Sequence, residues 1–378
     1  MEYSSFPASP NLPAFPNRIS SRYSPAATRG NSAAPASAVP AHLPRSARHQ
    51  LWHLVTPLLR ALLLLSGLAA AGPARAQQAF TTFQAASLVV GQPNFTSQST
   101  VVSQSVTSGA NSSAISSLGV LAVGSQSTGR VLLWNAVPTV NGQNADVVVG
   151  ETSFTSTSRG TTAVLTSDIE GVAFSPDGRK LLVSDGGNNR MLIWNSIPTT
   201  NGQPADVVIG QTNFTTAAGG VSATKLNLPT GLTVAPDGRL FVTDRNNSRV
   251  LLYNSIPITN GAAANVVIGQ PTMTTVTAGN AASRLNRPWY TALAPGGQLL
   301  VAEEFNNRVV VFDTVPTANG VAADVVIGQK GFGVSGAGTL ATLLRSPIGV
   351  AVSASGQVAI GEFANNRVLV YDAVPAVV

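Results

Sequence analysis

The chain has 378 residues with 22 Lys+Arg against 16 Asp+Glu, but seven arginines and one acid (Glu2) precede Gln77, leaving 15 of each sign beyond it. A charge-balanced remainder lacks the basic stripe that phosphate neutralisation requires, so no nucleic-acid partner is expected. There is no cysteine, and all three histidines (His42, His49, His53) precede Gln77, which excludes Ser-His-Asp and Cys-His catalysis and His- or Cys-ligated zinc or copper from the remainder.

Residues 1–50 are rich in Pro, Ser and Ala without apolar periodicity and read as a disordered leader that buries too little to offset its ordering entropy. Residues 51–76 read as a signal peptide. Arg45, Arg48 and His49 lead into the apolar run Ala61–Ala71, and Ala74-Arg75-Ala76 supplies the A-x-A exit. The alternative is a short membrane anchor, but the run is short and Arg60 adjoins it. The expectation is export to a secreted, periplasmic or cell-surface location, with no stable membrane span after cleavage. Without disulfides, stability must come from packing area, for which residues 77–378 suffice.

From Gln77 onward one unit recurs. Val183–Pro198 returns with small changes as Val242–Pro257, Val301–Pro316 and Ile360–Pro375, with a degraded copy at Val123–Pro138. The glycines Gly91, Gly150, Gly210, Gly269 and Gly328 are spaced 59, 60, 59 and 59 apart, and Arg130, Arg190, Arg249, Arg308 and Arg367 are spaced 60, 59, 59 and 59. Two independent markers with one period, and four strand-like runs per period, predict a β-propeller.

Within a unit, Gly231–Ala235 alternates and ends at the turn Pro236-Asp237-Gly238; Leu240–Thr243 follows and ends at Asp244–Ser248. Arg249–Tyr253 is the third strand, and Asn260-Gly261 turns the chain into the fourth, Asn265–Gly269. Pro257 is barred from a central ladder because it lacks a donor. The chain ends after a third strand but opens with a lone fourth-strand pattern, Ala86–Gln92. The fold class is therefore all-β, a propeller of about five four-stranded blades. A sixth stays open because Thr96–Ile115 has room for further strands. The N-terminal strand is expected to close the ring by pairing with the last blade, Leu88–Gly91 beside Val368–Tyr371, since an unpaired edge invites aggregation.

The motif Asp-x-x-Asn-Asn-Arg-Val after a Pro-x-Gly strand resembles the NHL repeat. It is carried by Pro229, Gly231, Asp244, Asn247 and Arg249, and by Pro347, Gly349, Glu362, Asn366 and Arg367. Asp185, Asn189 and Arg190, and Glu303, Asn307 and Arg308, match nearly as well; in the first copy Ser125 replaces the acid and Thr128-Gly129 the Asn pair. The resemblance covers about residues 85–378 and implies a propeller, commonly six-bladed, from a family known mainly for binding. Related propellers include a peptide-amidating lyase and calcium-dependent lactonases.

Because a ligand does not need five copies of one contact, the recurring acids and arginines (Asp185, Arg190, Asp244, Arg249, Glu303, Arg308, Glu362, Arg367) read as structural pairs, worth about 0–1 kcal/mol each if partly exposed. The aromatics Trp134, Trp194, Tyr253, Phe312 and Tyr371 read as core between blades. Function is expected where the blades differ, just ahead of each inner strand: Asp168, Glu170, Asn227, Arg287, Trp289, Tyr290 and Arg345. Aromatics beside Arg and carboxylates suit a protein, peptide or glycan partner; the alternative is a plug filling the channel. The expected protein is a monomeric, non-enzymatic binding module without a cofactor. The competing reading is a calcium-assisted lactonase- or lyase-like enzyme, with Asp168, Glu170, Asp185, Glu303 and Glu362 as oxygen donors and Glu170 or Glu303 as general base. Asn94, Asn111 and Asn213 fit the glycosylation pattern.

Overall fold

β-Branched and aromatic runs between Gly- and Asn-rich turns give each repeat the same strands. The computed structural model describes residues 85–375; the expected leader (1–50) and signal peptide (51–76) lie outside the described residues. Blade 1 is β1 (Ala110–Ile115), β2 (Leu121–Ser125), β3 (Arg130–Trp134) and β4 (Val147–Val149). Blade 2 is β5 (Ile169–Phe174), β6 (Leu181–Asp185), β7 (Arg190–Trp194) and β8 (Val207–Ile209). Blade 3 is β9 (Pro229–Val234), β10 (Leu240–Asp244), β11 (Arg249–Tyr253) and β12 (Val266–Ile268). Blade 4 is β13 (Pro288–Leu293), β14 (Leu299–Glu303), β15 (Arg308–Phe312) and β16 (Val325–Ile327). Blade 5 has three described strands, β17 (Pro347–Val352), β18 (Val358–Glu362) and β19 (Arg367–Tyr371).

Every sheet is an antiparallel meander in chain order, which bears out the five-blade propeller. The core lies between blades. Leu182, Met191 and Ile193 of blade 2 pack with Leu240, Val242 and Leu251 of blade 3, and the other neighbours repeat this arrangement. Each such fully buried side chain contributes about 1.5–3 kcal/mol relative to exposure. Trp194, Tyr253 and Phe312 are buried in these layers, Trp134 is buried in a cluster of blade 1 with Val90 and Phe154, and the two indoles donate to Gln143 O (3.0 Å) and Gln203 O (2.9 Å).

The motif side chains pin the connectors onto the blades. Arg249 Nε donates to Asp244 Oδ2 (2.7 Å) and its Nη2 to Ser222 O and Lys225 O (both 2.9 Å). Asp244 also accepts from Asn247 Nδ2 (2.8 Å) and the Asn227 amide (2.7 Å). Arg190–Asp185 and Arg308–Glu303 repeat the arrangement. These three pairs are fully buried rather than partly exposed. The small value expected for exposed pairs therefore does not apply, because removing one partner leaves an unmatched charge in the interior. Ser248, in the left-handed conformation at φ 50°, ends the Asp244 turn. Its counterparts Asn189 and Asn307 share that conformation and stitch blades together, accepting from the Leu228 amide (2.7 Å) and the Ser346 amide (2.8 Å) of the next blade.

Blade 1 solves the same problem differently. Ser125 leaves the buried Arg130 Nε without a partner, and the nearby charge comes from Glu151, where the other repeats carry Gln. Burial lowers the Arg130 pKa, and Glu151 opposes that shift.

The expected closure does not occur. Val89 N donates to Asn141 Oδ1 (2.9 Å) and Val89 O accepts from the Gly142 amide (3.2 Å). Val148 makes the same pair of bonds to Asn201 (3.0 Å) and Gly202 (2.9 Å). Leu88–Gly91 thus sits against blade 1 where a preceding blade's outermost strand belongs, and Val90 packs against the blade 1 cluster that includes Leu132 and Trp134. Inner strands pack in series, β1 on β5, β5 on β9, β9 on β13 and β13 on β17, with no comparable packing from β17 back to β1. Among the described residues no strand pairs with the second edge of β19. Leu88–Gly91 is held by the Asn141-Gly142 turn of blade 1, and blade 1 does not pack on blade 5, so the two terminal strand patterns do not share a sheet.

Candidate functional site

Inner strands enter the channel one residue after Ile169, Pro229, Pro288 and Pro347, which pair with the motif acids, and after Ala110, which pairs with Ser125. The residues there are Asn111, Glu170, Thr230, Trp289 and Ile348. A second tier, the first residue of each β2–β3-type turn, holds Gln126, Gly186, Arg245, Glu304 and Phe363. Strand packing repeats around the ring, but these positions do not, so their side chains are free to carry recognition.

Glu170 is buried, with Asn111 Nδ2 donating to Oε2 (2.9 Å) and Gln126 Nε2 to Oε1 (2.7 Å). Burial pushes its carboxyl up, partly offset by those two donors; Asp168 pushes it further up and Arg245 pulls it down. Beside it, Arg245 lies 4.0 Å from the Trp289 ring centroid and donates to Glu304 Oε2 (2.7 Å). Its Nε is buried without a hydrogen-bond partner. A desolvated guanidinium on an indole gains about 2 kcal/mol or more.

Tyr290 stands where Gly171, Gly231 and Gly349 stand in the neighbouring blades. Its hydroxyl crosses from blade 4 to donate to Glu170 O of blade 2 (2.7 Å). Its ring passes Gly231, where a Cβ would come within 2.8 Å of Tyr290 Cδ1. Below lies a cavity of about 480 Å³ lined by inner-strand residues of every blade, including Ser112, Val172, Leu232, Tyr290 and Val350. Ala359 and Gly361 of β18 and Val368 of β19 also line it, so the space extends along the uncovered face of blade 5.

Of the sequence-derived candidates, Glu170, Trp289 and Tyr290 converge at this mouth. Asp168 is adjacent and ion-paired with the connector residue Arg159. The other three sit at the rim. Asn227 accepts from Asn246 Nδ2 (3.2 Å), Arg287 lies 4.7 Å from the Phe305 ring centroid, and Arg345 is exposed. Asn111, Gln126, Arg245 and Glu304 escaped the sequence reading. For Gln126, Arg245 and Glu304 the signal was the residue after each motif acid or its Ser125 replacement, which changes in every blade.

The five proposed calcium donors do not fit one cation. Asp185, Glu303 and Glu362 turn into their own blades to pair with Arg190, Arg308 and Arg367. Among the described residues no group of three or more His, Cys, Asp or Glu is placed to hold a metal.

Residues 226–252 match the family model for the NHL repeat. This stretch contains β9, β10 and all but the last residue of β11, with the Asp244–Arg249 clamp inside it. The chain is a β-propeller that carries an NHL repeat. No curated protein matches the sequence. Among solved structures, the NHL-repeat propeller is similar to a chain of the mitotic checkpoint complex at 11% identity and TM-score 0.43, covering 68% of this chain and 60% of that one. It therefore spans less than two thirds of that chain. It is also similar to virginiamycin B lyase from Staphylococcus aureus (11% identity, TM-score 0.38, 71% of each chain). A third likeness is to a chain of the nidogen/laminin complex (13% identity, TM-score 0.40, 70% of this chain and 75% of that one). Among the described residues no helix is long and apolar enough to cross a membrane.

Proposed function

We propose that this NHL-repeat propeller is an exported, non-enzymatic binding module whose channel mouth engages a protein, peptide or glycan. The observation that supports this is Arg245 held on Trp289 beside the desolvated Glu170, at positions the repeat itself leaves unconstrained. A rigid aromatic with a charged group stacked on it, next to a carboxylate in neutral hydrogen bonds, offers both a stacking face and directional polar contacts. Both Glu170 oxygens are already occupied by Asn111 and Gln126, so Glu170 as general base of a calcium-assisted lactonase or lyase draws no support from the site.

Retention on peptide and glycan arrays tests the proposal. Trp289→Ala and Arg245→Ala should each abolish retention that Arg345→Ala largely keeps. Unchanged retention in both mouth variants would remove the site.

A further inference from the structure

At the end of the blades away from the mouth, one side-chain bond ties the exit of the third strand to the entry of the fourth. Asp146, Asp206 and Asp324, just ahead of β4, β8 and β16, accept through Oδ2 from the amides of Asn135, Asn195 and Asp313 (2.7, 2.7 and 2.8 Å). Blade 3 has Asn265 in that place, and its Oδ1 accepts from the Asn254 amide at 2.8 Å. The bond needs only one oxygen. Asn265 therefore keeps it and puts an uncharged NH2 donor where blades 1, 2 and 4 carry a second carboxylate oxygen. The exchange coincides with a cleft of about 410 Å³ between blades 3 and 4. Buried Leu252 and Pro316 give it apolar walls, exposed Asn254, Asn265 and Thr317 and half-buried Arg239 give it a polar rim, and no carboxylate lines it. In blade 2 the counterpart of Arg239, Lys180, donates to Asn195 Oδ1 (2.6 Å) and spans the corresponding groove. In blade 3 Arg239 is drawn to Asp237 instead: its amide donates to Oδ1 (3.1 Å) and its Nε to Oδ2 (2.7 Å). Among the described residues, neither terminal nitrogen of Arg239 nor the carboxamide of Asn254 is hydrogen-bonded.

We propose that this cleft binds a hexuronate residue of an acidic polysaccharide. A guanidinium carries five donors in a rigid fork, so with Nε held by Asp237 the two terminal nitrogens still present a second edge to a carboxylate. Asp237 fixes the direction of that edge and, by partly neutralising it, sets a modest affinity. The carboxamides of Asn254 and Asn265 and the Thr317 hydroxyl offer the donors and acceptors that sugar hydroxyls pair with, and Leu252 and Pro316 offer apolar surface to the C–H side of the ring. A simple inorganic anion would use Arg239 alone and leave the amides and the apolar walls without a role. The rim is exposed, so a sugar within a chain can enter as readily as a free one. The cleft lies at the far end of β10 and β11 from the Asp244 turn, so this reading does not depend on the channel mouth.

Retention of the full chain on immobilised polygalacturonate tests this. Two polymers serve as comparisons: the methyl ester, which keeps the hydroxyls and loses the charge, and polyglutamate, which keeps the charge and loses the sugar. The wild type should be retained on polygalacturonate alone and released by salt. Asn265→Asp restores the carboxylate that blades 1, 2 and 4 carry and keeps the bond to the Asn254 amide, so the fold is preserved; retention should weaken about tenfold, the loss of one contact to a charged group. Arg239→Gln should do the same, and Lys180→Ala, in the blade 2 counterpart, should change nothing. No retention of the wild type, equal retention on either comparison polymer, or retention that survives both Asn265→Asp and Arg239→Gln would overturn the proposal. Retention lost in Trp289→Ala but kept in Asn265→Asp would place the sugar at the mouth, overturning the cleft and leaving the mouth standing.

Discussion

Gly231 and Gly349 occupy the same position of the repeat, yet alanine should act in opposite directions at the two sites. At Gly231 an added Cβ would lie 2.5 Å from Trp289 O and 2.9 Å from Tyr290 Cα, both belonging to blade 4. Real Cβ atoms essentially never approach below 3.0 Å, so the backbone of β13 must move. A close-packed interior resists such a shift at about 1–3 kcal/mol. At Gly349 a Cβ would meet nothing within 4 Å and φ lies outside the left-handed region. Gly→Ala at a compatible, unobstructed position stabilises by about 0.4–1 kcal/mol through the unfolded chain. The two variants should therefore straddle the wild type in urea unfolding, with Gly349→Ala at the higher midpoint and unchanged slope. Gly171→Ala, whose Cβ would lie 2.7 Å from Thr230 O, should follow Gly231. Equal destabilisation at Gly231 and Gly349 would mean that blade 5 faces a neighbouring blade, and the open ring would be wrong.

Asp244→Ser should cost about 3–5 kcal/mol by stranding the buried Arg249 charge, seen as a lower urea midpoint. Adding Gln270→Glu copies the charge arrangement of blade 1 and should recover part of that loss as a coupling of about 0.5–3 kcal/mol; strict additivity would refute the relocation argument. Glu170 has its folded pKa raised by burial. The stability it contributes is therefore fully present below its unfolded value and lost as pH rises through the folded one. Glu170→Gln should accordingly melt above wild type at neutral pH, and the gap should shrink as pH falls below the carboxylate range; a gap independent of pH would contradict the assigned desolvation. Tyr290→Phe removes one inter-blade bond and should cost about 1 kcal/mol in the same unfolding assay.

Much of this protein was legible in the sequence because its signals are local. The period, the Asn-rich turns and an arginine five residues after an acid each act within one repeat, over distances that turn geometry dictates. Trp289 and Tyr290 stood out because they replace small residues in a pattern that repeats around them. Arg245 and Glu304 did not, because each looks like an ordinary turn charge until the next blade brings its partner 59 residues away. The blade, its clamps and its core aromatics follow from residue order, since strand alternation and turn conformation are set by neighbours along the chain. The open ring, the placement of Leu88–Gly91 on blade 1 and the Tyr290 bridge over 120 residues were decided only by how successive blades pack. Small inter-blade angles accumulate around the ring, and no single repeat carries their sum.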